Sequence, residues 1–198
     1  LNALTSGEQN TAVGYYALAV EDAGNYSTAV GYQALLAQNN DTGGNTAVGW
    51  TSGDKIVAGY ANTLIGSESG TTGSNDLVGG TLNTLVGQAT AVSAAGAVNQ
   101  TVIGRAATGV SDNSVTLGNT DVATYYLQGN SGSDIYLSCA NNTDTTSARM
   151  FIQKAGGTLT SPTVVADDEL LGGVYVYGHD GTNYESAAAI IFDVDGSP

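Results

Sequence analysis

One short pattern returns seven times. Asn10-Thr-Ala-Val-Gly14 recurs as Ser27-Thr-Ala-Val-Gly31, Asn45-Thr-Ala-Val-Gly49, Asn62-Thr-Leu-Ile-Gly66, Asn83-Thr-Leu-Val-Gly87, Gln100-Thr-Val-Ile-Gly104 and Ser114-Val-Thr-Leu-Gly118. The glycines lie 17, 18, 17, 21, 17 and 14 residues apart. A period in this range marks a stacked array in which each unit is one supersecondary element. An aliphatic residue precedes every glycine: Val13, Val30, Val48, Ile65, Val86, Ile103 and Leu117. Each unit therefore reads as a short strand, a Gly turn and a variable polar loop, and the array as a β-solenoid.

In such a stack the strands lie about 4.8 Å apart, so seven coils rise roughly 34 Å. The aliphatic residue before each glycine is expected to point inward and to ladder with its equivalents. Gly14, Gly31, Gly49, Gly66, Gly87, Gly104 and Gly118 supply backbone angles or close approaches that a Cβ forbids. The Asn or Ser four residues before glycine suits a turn position that hydrogen-bonds local backbone. One aliphatic residue per coil plus some Ala is too little to enclose a core within one chain. Association of several copies is expected to complete it, a homotrimer being the simplest arrangement. The spacing is looser than a strict repeat, so short excursions loop outward, above all between Gly66 and Gly87.

Composition agrees. Among 198 residues there are 28 Gly, two Phe and one Trp, and 41% are hydrophobic. Small residues with abundant Gly, Asn, Thr and Ser favour thin, turn-rich β structure over helix. Four Lys or Arg stand against 18 Asp or Glu, a formal net charge of −14. That balance excludes nucleic-acid binding as a main role and disfavours an anionic membrane surface, both of which call for clustered cations. No run of 18 apolar residues occurs, so no membrane insertion is expected. The single Cys139 and single His179 exclude an internal disulfide framework and a multi-cysteine or His-rich metal cluster.

Chemistry-bearing residues are sparse. Tyr15, Tyr32 and Trp50 follow glycine in three successive coils and would stack into a stripe. Flat aromatic faces suit the apolar faces of sugars, while the alternative is plain ladder packing or an inter-chain seam. Asp167-Asp-Glu169, Asp193 and Asp195 are not spaced as a calcium loop and read as a solvated surface. His179 beside Asp180 reads as a turn built on Asp180-Gly181, with no nucleophile placed nearby by sequence. No catalytic, metal or cofactor site is expected. Cys139 reads as a small buried apolar residue.

Beyond Gly118 the pattern changes. Residues 119–129 lead out of the last repeat. Asp134–Ser138, Ala148–Lys154, Leu170–Gly178 and Ala187–Val194 then read as strands, with Ser161-Pro-Thr163 and the final Gly-Ser-Pro198 as breakers. The expected division is a β-roll over 1–129 and a small antiparallel β domain over 130–198. Leu1-Asn-Ala-Leu4 matches the residues after Gly14 and Gly31, so the sequence is expected to begin inside a repeat of a longer fibre-like protein.

These Asn-Thr-Ala-Val-Gly-Tyr-Gln-Ala-Leu-type repeats resemble the head repeats of trimeric autotransporter adhesins, and still more closely their versions in bacteriophage tail fibres. The segment carrying Ser161-Pro-Thr-Val-Val165, Leu171-Gly-Gly173, Tyr177-Gly-His-Asp-Gly-Thr-Asn-Tyr184 and Val194-Asp-Gly-Ser-Pro198 also resembles tail-fibre sequence. The resemblance implies an all-β fold: a trimeric left-handed parallel β-roll followed by the antiparallel domain. It also implies a non-enzymatic fibre segment on a virion, partnered by two further copies of itself, other fibre or tail components, and a host surface glycan or protein. Receptor contacts are expected at Tyr15, Tyr32, Trp50, His179 and Tyr184. The alternatives are the head of a bacterial surface adhesin and a polysaccharide-degrading tailspike.

Overall fold

The computed structural model describes residues 6–122 in full, and at the level of the backbone four strands further on. Two compact units, Leu1–Leu127 and Gln128–Pro198, divide the chain. In the first unit each repeat contributes one three-residue strand: β1 Thr11–Val13, β2 Thr28–Val30, β3 Thr46–Val48, β4 Thr63–Ile65, β5 Thr84–Val86, β6 Thr101–Ile103 and β7 Val115–Leu117. These form one seven-stranded sheet in sequence order. Every pairing is parallel and every register equates the repeats, as in Ala29↔Ala47 and Ile65↔Val86. We number the coils 1 to 7 by their strands. The first unit is a parallel β-solenoid without helix among its described residues.

The glycine ladder is a steric necessity. From Gly14 to Gly104 the six glycines hold φ between +128° and +142°, a region that L side chains avoid. A Cβ on Gly49 would run into the backbone carbonyl of Gly66, and the same clash recurs between successive coils. The chain then turns a corner in which the second residue after each glycine is left-handed without being glycine. Tyr16, Gln33, Thr51, Glu68, Ala89 and Ala106 hold φ between 48° and 57°.

Coils 1 to 6 close a core of their own chain, which corrects the expectation that several copies are needed for that. Leu18, Leu35, Ile56, Leu64, Leu77, Leu85, Val92 and Val102 are fully buried in one continuous cluster. The strand's orientation also differs from expectation. The middle residue faces inward, with Ala29, Ala47, Leu64, Leu85 and Val102 all buried. The aliphatic residue before glycine faces outward: Val13, Val48, Ile65, Ile103 and Leu117 are exposed, while Val30 and Val86 are half-buried. Side chains alternate along a strand, so fixing one residue inward fixes the rest. The residue that decides is the asparagine, which shares the inward face with the middle residue.

That asparagine does more than hold a local turn. Asn62 Nδ2 donates to the Gly80 carbonyl at 2.8 Å, closing its own coil, and to Asn45 Oδ1 at 3.0 Å in the coil above. Asn62 Oδ1 in turn accepts from the Asn83 backbone N–H and from Asn83 Nδ2, both at 3.0 Å. Gln100 continues the series, its N–H donating to Asn83 Oδ1 at 2.9 Å. In coils 1 and 2, Asn10 Oδ1 accepts from the Ser27 N–H at 2.8 Å, and a buried cluster of Ser27, Gln38, Glu21 and Asn45 carries the bonding onward. Buried amides laddered in this way satisfy each other and lock the register.

In the second unit, β8 Gly156–Thr158 pairs antiparallel with β9 Ser161–Thr163, and β10 Leu170–His179 with β11 Tyr184–Asp193. Ser161-Pro-Thr163 is thus a strand and not a breaker. In a two-stranded ribbon both strands are edges, where proline is tolerated. The strands expected at 134–138 and 148–154, the exit segment beyond residue 122, and Cys139 lie outside the described residues.

Candidate functional site

The outer surface of the solenoid carries two parallel features, one on each side of the glycine ladder. Before the glycines runs the aliphatic ladder from Val13 to Leu117. After them runs the column Tyr15, Tyr32, Trp50, Ser67, Gln88 and Arg105. The backbone fixes this second register. Tyr15, Tyr32, Trp50, Ser67 and Gln88 each offer a carbonyl to an N–H of the next coil, at 2.8 to 2.9 Å.

The three expected aromatic residues come together. The rings of Tyr15 and Tyr32 are stacked with centroids 5.6 Å apart and planes 13° from parallel. Those of Tyr32 and Trp50 are stacked at 6.4 Å and 12°. Tyr16 closes the upper end, meeting Tyr15 edge-on at 4.2 Å. The stack therefore packs as a ladder and yet stays in the open: Tyr15 is 63%, Tyr32 42% and Trp50 51% exposed. A hydrogen bond with Tyr16 holds the Tyr15 hydroxyl above the usual phenol value, with smaller contributions from desolvation and from the charges of Tyr16 and Tyr32.

With Val13, Val30 and Val48 alongside, coils 1 to 3 present a combined aliphatic and aromatic surface. Coils 4 to 6 keep the aliphatic ladder as Ile65, Val86 and Ile103 but replace the rings with Ser67, Gln88 and Arg105. Those three polar column members are readable as the residues one past each glycine, although the aromatic pattern alone does not single them out. His179 and Tyr184 face each other in the backbone register at the turn end of the β10–β11 hairpin.

Compared with protein-family models, curated proteins and solved structures, the chain matches none.

Proposed function

We propose that the chain is a segment of a homotrimeric virion tail fibre that attaches the particle to a host cell surface. The observation that carries this reading is the outward aliphatic ladder. A soluble solenoid with a closed core of its own has no need of a valine, isoleucine or leucine at the same outer position in all seven coils. Exposed contiguous apolar surface of this kind marks an interface. Three such ladders turned to a common axis cover one another along the whole stack, and closed cyclic symmetry leaves none unpaired. The resemblance of the repeats to those of tail fibres supports the same arrangement.

The mechanism is mechanical and multivalent. Stacked coils make a stiff shaft, and three copies present identical surfaces so that individually weak contacts add through avidity. The aromatic column faces the receptor in coils 1 to 3, and His179 and Tyr184 do so in the second unit. The net charge of −14 keeps a long exposed fibre from self-association beyond its designed interface. No chemical step is assigned. Sedimentation equilibrium tests the assembly: a mass near three times the 19.8 kDa chain is expected, and a monomer at micromolar concentration refutes it. Labelled trimer should adsorb to cells of the host bacterium, and absence of adsorption refutes attachment.

A further inference from the structure

The aromatic stack is finished at one end and open at the other. Tyr15 has Tyr32 on one face and the edge of Tyr16 against it, and Tyr32 lies between two rings. Trp50 meets Tyr32 on one face only, and the next rung of the column is Ser67, whose side chain stops at a single hydroxyl. The space where a fourth ring would sit is one coil high, about 4.8 Å. A pyranose ring fits a space of that height. Its axial C–H bonds carry partial positive charge and meet the negative face of an indole favourably.

The rest of the column specifies what is attached to that ring. Gln88, one coil further, offers both an amide donor and an amide acceptor to sugar hydroxyls. Arg105 follows, exposed and without a hydrogen bond or ion pair among the described residues. The other cation of the described residues, Lys55, is already bonded to Asp54 at 3.1 Å. An unpaired guanidinium presents a planar fork that matches a carboxylate. From Trp50 to Arg105 is three coils, about 14 Å at the spacing of parallel strands, the span of a short oligosaccharide.

We propose that the column from Trp50 to Arg105 binds an acidic oligosaccharide, with one pyranose stacked on Trp50 over Ser67 and a uronate carboxylate on Arg105. The site rests on the attachment reading and names its ligand class. Trp50 is the only tryptophan in the chain, so its emission reports occupancy directly. Tetragalacturonate titrated into the full chain should shift or quench that emission saturably, and maltotetraose should bind at least tenfold more weakly. Arg105→Gln should weaken the tetragalacturonate affinity about tenfold or more, as loss of a charge-assisted pair does. Trp50→Ala, followed by calorimetry, should abolish binding. Equal affinity for maltotetraose, or an unchanged affinity in Arg105→Gln, overturns the acidic ligand. No response to either sugar overturns the site. Adsorption of both variants to host cells at the wild-type level would overturn the site while leaving attachment intact. Failure of the wild-type chain to adsorb would instead remove the attachment reading.

Discussion

Coils 1 and 2 and coils 4 and 5 share one backbone but fill it from opposite walls. Two inward positions face each other across these coils: the middle of the strand, and the residue four past the glycine, aligned by bonds such as Leu35 N–H to Ser52 O at 3.0 Å. Coils 1 and 2 put Ala12 and Ala29 on the strand and Leu18 and Leu35 opposite. Coils 4 and 5 reverse this, with Leu64 and Leu85 on the strand and Gly70 and Ala91 opposite. Coil 3 is the handover, small at both positions (Ala47 and Gly53). There a Cβ on Gly53 would lie 3.1 Å from both Ile56 Cδ1 and Leu35 Cδ2, and 3.5 Å from Leu64 Cδ2. Ile56 of the same coil, with Leu35 and Leu64 from the coils on either side, thus fills the gap. The interior conserves volume and not sequence, as close-packed cores require. The exterior changes one step later, from Trp50 in coil 3 to Ser67 in coil 4.

The largest effect should come from the reversed wall. Leu64→Ala removes a fully buried side chain with only Gly70 opposite, so a loss of about 2–5 kcal/mol is expected by urea denaturation. Adding Gly70→Leu, which copies the wall arrangement of coil 2, should restore part of it, since Leu35 shows that leucine adopts φ of 51° at this position. A coupling energy indistinguishable from zero would break the idea of exchanged walls. Next in size is the amide ladder. Asn62→Ala orphans the Gly80 carbonyl and the Asn83 N–H, at about 1–3 kcal/mol for each. Asn10→Ala, at the less buried end, should cost measurably less.

Smaller effects belong to the outer column. Trp50→Ala should lower stability by about 0.5–1.5 kcal/mol through the lost stack with Tyr32, and should remove a near-ultraviolet circular dichroism band. The smallest is a titration. Tyr16→Phe removes the hydroxyl that chiefly raises the Tyr15 pKa, so Tyr15 absorbance should titrate closer to the ordinary 10.0. The sign follows from linkage. A phenol whose folded pKa is raised contributes stability that is complete below pH 10.0 and lost as pH climbs through the folded value.

The sequence made the coils legible because the glycine ladder has a single steric solution. A polar residue, a short apolar-bearing strand and Gly in fixed order located all seven strands, and the Gly-plus-one position located the aromatic stack. It did not reveal which face of the strand looks inward. Thr-Ala-Val contains two apolar residues pointing opposite ways, and the larger one is the natural choice for a core. The structure turns it out because Asn45 and Ala47 must face inward together, where the buried amide finds Gly59 O at 2.8 Å. The second wall was hidden for a related reason. Leu18 and Leu35 give way to Gly53 and Gly70, so no single residue type repeats there. The corner residues Tyr16, Gln33 and Glu68 take left-handed angles that their identities do not announce.

The most direct test of the outward ladder as the assembly surface is the solution mass of Ile65→Asp beside that of the wild-type chain. Ile65 is 43% exposed, so the substitution leaves the closed core untouched and circular dichroism should be unchanged. A wild-type mass near three chains falling to one chain in the variant is the expected result. A variant that keeps the wild-type mass, or a wild-type chain that is already monomeric, would contradict the ladder's role and the trimeric fibre built upon it.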